Sequence, residues 1–412
     1  MPKNETTPIS FARKHHDVSK AARALQESLR GAFAEFLKGD VGGRSVARRL
    51  GVDKMLGWQA HRIATAPDPA TIVSALPGER GMKNLIGALH AVGVSDVAIG
   101  RVETATNGLW RIFDQSNASR QEIAAIAAGG LDSTAQQRHQ AKVRRAHFDS
   151  TVALRGEVAN SMVSTWFVSP AKAKSDHLAL VSLNMKEGLR TIRPMGPRLV
   201  YRGTKIDADA AALDWSGIDA SEEANPIPSL VPAASTPDLH RDVVEVVAKD
   251  AVTLVLADPD LHPDGELTLT FADLIEDVGP GYARPDVPTG QVGVHVPIPV
   301  RNLYLDVLFD ESIPAANPAA ALYFAAAERV EYGEHAELRR FNGEIDARFV
   351  RAPKLPKSSK VDPARHAAML EHGAALIDRP LDAFRCFRLH IAYPPTFTRA
   401  VVRWLLPEAS GS

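Results

Sequence analysis

A chain of 412 residues has room for two or three domains of the usual ~150 residues, and 45% hydrophobic with 24% charged residues place it in the ordinary globular class. Its longest apolar runs, such as Ala251-Val252-Thr253-Leu254-Val255-Leu256-Ala257, fall far short of the ~20 residues that span a bilayer, and the opening Met1-Pro2-Lys3-Asn4-Glu5 is too polar for a secretion signal. The expectation is a cytoplasmic protein with no membrane partner, and its one cysteine, Cys386, excludes an intrachain disulfide and a Cys-rich metal site.

The net charge of −1 conceals an asymmetry. Residues 1–170 carry 22 Lys and Arg against 15 Asp and Glu, whereas residues 171–412 carry 26 against 34. A basic front and an acidic remainder suit a nucleic-acid-binding module joined to a sensing or oligomerising one, and equally suit two halves with unevenly distributed solvated charge.

The front reads as helical. From Asp17 to Lys38, Val18, Ala22, Leu25, Leu29, Phe33 and Phe36 recur at three- and four-residue steps, with Lys20, Arg23, Glu27 and Arg30 turned to water. A short helix from Arg44 to Leu50, a Gly51-Val52-Asp53 turn and a second helix from Lys54 follow, stopped by Pro67. Asp68-Pro69 supplies an N-cap and an N1 proline for the next helix, and Ser119 with Glu122 forms a capping box. A helical pattern opened by Ser133 and Gln136 reaches about Ser164. On it, Arg138, Lys142 and Arg145, with Arg144 beside them, share one face and suit a phosphate backbone or a wet helix surface, with Val143, Ala146 and Val152 as the buried side.

Beyond this the period shifts to two. Leu178 to Leu183, Arg198 to Tyr201, Val243 to Leu256, Glu266 to Phe271, Val292 to Val300 and Leu303 to Phe309 read as strands, with helices from Asn317-Pro318 to about Arg329 and from Asp362-Pro363 to Ile377. The class is α+β: an all-helical domain over residues 1–165, then a sheet-containing domain over 166–412. The latter contains a long Ala-, Asp-, Ser- and Pro-rich connection at 206–241 and a basic loop from Arg351 to Lys360, each a mobile or docking segment.

Residues 43–66 carry a mechanism. Ala47 is small enough for two helices to cross closely, Leu50 fills the space between them, Gly51 takes the positive φ of the turn, and Asp53 caps the second helix. Arg44 to Ile63 resembles the helix-turn-helix of bacterial transcriptional regulators. The resemblance implies that the second helix lies in the major groove of double-stranded DNA and presents Lys54, Met55, Trp58, Gln59 and Arg62. Arg44, Arg48 and Arg49 would then lie near the phosphate backbone. It also implies a homodimer, since one short recognition helix reads few base pairs, and a second domain that senses a small-molecule ligand or oligomerises. The segment departs from the pattern at Gly57, where a branched apolar residue usually sits, leaving Leu56, Ala60 and Ile63 as the buried stripe. The other reading of the segment is an ordinary helical pair, in a non-enzymatic interaction or assembly module whose helical domain docks a partner.

Enzymatic chemistry appears only as fragments. Asp260 to Phe271 begins like a calcium loop, but its third position is His262 and its twelfth Phe271. His366, Glu371 and His372 miss the four-residue step of a zinc-binding helix, and His335-Ala336-Glu337 lacks the paired cysteines of a nucleotide deaminase. His15-His16-Asp17 suits an exposed helix start, Gly279-Pro280-Gly281 lacks the third glycine of a dinucleotide fingerprint, and Cys386 sits among apolar neighbours as a buried thiol. No catalytic residue, cofactor or metal is therefore expected.

Overall fold

The periodic apolar stripes of the first third become eight helices: α1 (Phe11–Phe36), α2 (Gly43–Leu50), α3 (Lys54–Ala64), α4 (Pro69–Ala75), α5 (Glu79–Ala91), α6 (Asp96–Ser116), α7 (Arg120–Ala128) and α8 (Ser133–Arg155). The structure is a computed structural model. It describes residues 11–37, 42–116, 119–128, 133–174, 176–192, 198–204, 230–237, 239, 243–248, 251–256, 266–284, 288–313, 316–324, 340–341 and 345–408. Two compact units result, Met1–Gln140 and Ala141–Ser412, their boundary falling within α8.

In the first unit the α1 stripe of Val18, Ala22, Leu25, Leu29 and Phe33 is buried and joins one core with Val46, Leu50, Ile63, Leu85, Val102 and Ile123. Local caps set the starts of the helices. Asp68 accepts the Thr71 amide at 2.7 Å ahead of Pro69, and Ser119 and Glu122 exchange the two bonds of a capping box at 2.6 and 3.3 Å. Glu35 of α1 accepts from the amide and hydroxyl of Ser95 at 2.7 and 2.8 Å, just before α6, and these bonds hold its carboxyl below the usual range.

The second unit is built on sheets: β1 (Glu157–Pro170), β2 (Leu178–Thr191), β3 (Arg198–Thr204), β4 (Val243–Ala248), β5 (Ala251–Leu256), β6 (Leu267–Ile275), β7 (Thr289–His295), β8 (Val300–Asp310), β9 (Ala316–Phe324), β10 (Asp346–Val350), β11 (Phe384–Ala392) and β12 (Thr398–Leu405), with helix α9 (Pro363–Ile377). A six-stranded sheet runs β10-β11-β8-β1-β2-β6, antiparallel throughout except for the parallel pair β1 and β8. β7-β12-β9 and β3-β5-β4 form two antiparallel three-stranded sheets.

Alternation along β8 gives the large sheet two cores. Leu303, Leu305, Val307 and Phe309 pack with Val292, Val294, Val402 and Trp404 of the β7-β12-β9 sheet, while Tyr304 and Leu308 pack with Met369, Leu370 and Ile377 of α9. On the α9 side lies a buried ion pair. Arg388 donates to both carboxylate oxygens of Asp306 at 2.7 and 2.6 Å and to the carbonyls of Lys354 and Pro353 at 2.9 and 2.8 Å.

The α+β class is thus the observed one, a helical region followed by a sheet-containing one. Two expectations are corrected. The helical pattern from Ser133 ends at Arg155; Gly156 takes φ 72°, and Glu157 to Ser164 opens β1, the strand at the centre of the sheet. Asn317 to Phe324 is a strand, because β9 pairs with β12 and turns Ala320 and Leu322 toward the core between the sheets. Pro318 is tolerated there because β9 is an edge strand. The basic loop from Arg351 to Lys360 is docked: it supplies the Lys354 and Pro353 carbonyls to Arg388, and the Ser359 carbonyl accepts from the Ser161 hydroxyl. Of the 206–241 connection, residues 206–229, 238, 240 and 241 lie outside the described set, and Val231 and Thr236 bond to Thr270 and Thr268 of β6.

Candidate nucleic-acid interface

Three residues join α2 to α3. Gly51 adopts φ 66°, ψ 25°, the left-handed conformation that glycine takes without penalty, and the Val52 amide closes on the Ala47 carbonyl at 3.1 Å. Asp53 then accepts the Met55 amide at 2.7 Å, capping α3 as expected. Val46, Ala47 and Leu50 of α2 are buried together with Leu56, Ala60 and Ile63 of α3. Gly57, the departure from the helix-turn-helix pattern, has a physical reason here. A Cβ at that position would lie 2.4 Å from the Ala47 Cβ and 2.5 Å from its Cα, so the pair Ala47 and Gly57 lets the two helices touch nearly backbone to backbone.

A second device holds the far end of α3. Gln26 of α1, only 1% exposed, donates to the carbonyls of Ile63, Ala64 and Ala66 at 3.2, 3.4 and 2.7 Å, and its own carbonyl accepts from Arg23 at 2.7 Å. Arg30 donates to the Ala64 carbonyl and Arg23 to that of Pro67. Cations and donors at a helix C-terminus satisfy its orphan carbonyls and oppose its dipole. Arg23 and Arg30 were expected to face only water, and Gln26 was not singled out. Its signal was a polar residue embedded in an apolar stripe, between Leu25 and Leu29.

None of the eight residues named for the resemblance belongs to the buried core. Arg44, Arg48 and Arg49 of α2 and Lys54 of α3 are exposed, Met55 is 61% and Trp58 46% exposed, and Gln59 and Arg62 are half-buried. The Arg62 guanidinium lies 4.8 Å from the Trp58 ring centroid, a cation–π contact that fixes both side chains on one face. Arg49 reaches the Phe36 carbonyl at 3.4 Å. Among the described residues, no ion pair engages Arg44, Arg48, Arg49, Lys54 or Arg62. The surface therefore offers five cations around an apolar, aromatic centre.

On α8 the expected buried side is corrected. Val143 is 52% exposed and Ala146 exposed, and Phe148, at 3%, does the packing, its ring 5.2 Å from that of Tyr393. Arg145 pairs with Asp149 at 3.2 Å. Of the enzymatic fragments, 258–265 and His335 to Glu337 lie outside the described residues. His366 is buried against the sheet whereas Glu371 is exposed, so that helix does not gather them. Cys386 is buried as expected, and desolvation pushes its thiol up. No group of three His, Cys, Asp or Glu among the described residues could hold a metal, and no helix among them is long and apolar enough to cross a membrane.

The chain matches no protein-family model and no curated protein. Among solved structures it is similar to a protein of Parabacteroides distasonis ATCC 8503 described as a "putative protease", at 11% identity and a TM-score of 0.29, over 61% of this chain and 41% of that one. The chain thus spans well under half the length of that protein, and a superposition this loose carries no inference about fold or activity.

Proposed function

We propose that the chain is a cytoplasmic, non-enzymatic DNA-binding transcriptional regulator, acting as a homodimer. Its α2 and α3 dock on double-stranded DNA, and its second unit senses a ligand or oligomerises. The observation that carries the reading is the outward face of α2 and α3, where five cations without acidic partners among the described residues surround Met55 and Trp58. Arg44, Arg48 and Arg49 lie on the helix that crosses the phosphate backbone in a helix-turn-helix. Gln59 has the donor and acceptor to read adenine, and Lys54 and Arg62 can read guanine or bind phosphate. The anchoring of α3 at both ends, by Asp53 and by Gln26, supports a reading helix held in one orientation.

The test is selection of bound sequences from a random duplex pool by the full chain, beside a chain with Arg48→Glu and Gln59→Ala. Enrichment of a motif by the wild type, lost in the folded variant, supports the reading, and equal retention by both overturns it. The exposure of Met55 and Trp58 favours a second reading, in which the same face docks a partner protein through an apolar centre. That reading predicts no duplex binding and loss of a partner complex on Trp58→Ala.

A further inference from the structure

The six-stranded sheet ends in β6 on one side and β10 on the other, and the two edges differ. Beside β6, the Val231 amide donates to the Thr270 carbonyl and the Thr236 amide to that of Thr268, each at 2.9 Å. β10 pairs with β11 alone, and no described residue bonds to its outer side. Bonds just beyond the ends of β11 show which backbone groups are left there. The Tyr393 amide donates to Arg301 at 2.8 Å and the Glu311 amide to Ala383 at 2.9 Å, so the odd-numbered residues of β11 bond to β8. Cys386, Arg388 and His390 therefore bond toward β10, opposite Val350, Arg348 and Asp346. The N–H and C=O groups of Ala347 and Phe349 are left pointing outward.

Proteins blunt an open edge with a bulge, a proline or repelling charges. β10 has none of these: its register with β11 is continuous, it contains no proline, and its two charges, Asp346 and Arg348, are opposite in sign. It also carries Phe349, 47% exposed, whose ring lies 5.2 Å from that of Phe387. The segment Ile345 to Phe349 complements its own reverse. About a two-fold axis at Ala347, Asp346 lies opposite the copy's Arg348, and Ile345 opposite the copy's Phe349. The outward backbone groups suit this register, since Ala347 meets its own copy and Phe349 meets Ile345, which packs on the same core as Ala347. An axis at Arg348 would set like charges face to face. We propose that β10 is the edge through which two copies of this chain dimerise, antiparallel about Ala347, into one continuous sheet. This gives the homodimer of the reading above its surface and rests on that part of it alone. Asp346 and Arg348 bond within the strand at 2.9 Å and stay 49% and 70% exposed, so pairing strands no charge. Backbone bonds and Phe349 supply the affinity, and the charges choose the register.

The test is sedimentation velocity of the full chain from ~1 to ~100 μM, a range suited to the small interface that edges this short can make. The wild type should pass reversibly from monomer to dimer and no further, because pairing uses up the edge. Ala347→Pro removes an outward N–H without touching a bond to β11, and should be a folded monomer throughout. Arg348→Asp and Asp346→Arg should each raise the dissociation constant about tenfold by opposing like charges, and the two combined should restore it. If Ala347→Pro fails to fold, the charge series decides alone. A dimer that Ala347→Pro leaves intact, single reversals without effect, or a double exchange that restores nothing would overturn the edge and leave a homodimer formed elsewhere. A wild type that stays monomeric would overturn the edge and the homodimer together. Dimerisation through β10 by a chain that selects no duplex would support the edge and overturn only the DNA reading.

Discussion

At Gly57 two magnitudes oppose each other. Alanine in a helix interior is better than glycine by about 1 kcal/mol, yet here the added methyl would sit 2.4 Å from the Ala47 Cβ and must push α2 and α3 apart, an overpacking cost of about 1–3 kcal/mol. The geometry decides for the second, so Gly57→Ala is expected to lower the urea midpoint of the full chain; a rise would show that the helices separate freely. Local rules made Ala47, Leu50, Gly51 and Asp53 legible in the sequence, since each acts within its own turn or face. Gly57 read only as a departure, because its contact is with a backbone ten residues away. His366 was hidden in the same way: spacing told that it does not pair with His372, but not that it is 5% exposed between α9 and the sheet. Burial there brings its pKa down to about 4. Between pH ~6.5 and that value the unfolded chain binds a proton that the folded one refuses, so folding stability falls as pH drops through this window, by up to about 3 kcal/mol. Melting curves from pH 7 to 4 should fall less for His366→Gln than for the wild type. Parallel curves for the two would contradict this origin.

Among elements, the helices of the first unit were the most readable and the sheet boundaries the least. Asp68-Pro69 and Asp362-Pro363 each open a helix by capping and a preset φ, which needs no distant partner. Asn317-Pro318 offers the same kind of cap-and-proline pair, with Asn in place of Asp, and becomes a strand, because β12 offers its free edge and pairs with the alanine-rich run. Gly156 is a similar case. A composition that continues as a helix is cut by one left-handed glycine, and the chain beyond is drawn into the centre of a sheet by β2 and β8. The tie between α1 and α3 yields the clearest element-scale prediction. Gln26→Ala removes the donor to the carbonyls of Ile63, Ala64 and Ala66 and should cost about 1–3 kcal/mol of stability. If α3 is a reading helix, duplex affinity measured below the melting transition should fall as well. Full affinity with reduced stability would mean that the orientation of α3 is set elsewhere.

For the whole molecule, the charge asymmetry seen along the chain has a structural counterpart in the first unit, where cations gather on the outward face of α2 and α3 while Val46, Leu50, Leu56 and Ile63 hold the core. The sheet-bearing unit was foreseen in class but not in topology, since the parallel pairing of β1 with β8 joins segments more than a hundred residues apart and leaves no local trace. The claim that organises these features is that the outward face of α2 and α3 grips phosphate. Its most direct measurement is fluorescence anisotropy of the full chain with a duplex across a salt series. Five cations each releasing about 0.9 counterion give a slope of roughly −4 in log affinity against log salt per protomer, or a loss of two to three orders of magnitude between ~50 and ~200 mM. That slope, reduced by about one when Arg48 is changed to Ala, is the result expected. Affinity that does not respond to salt, or no duplex binding at ~50 mM, would contradict the account.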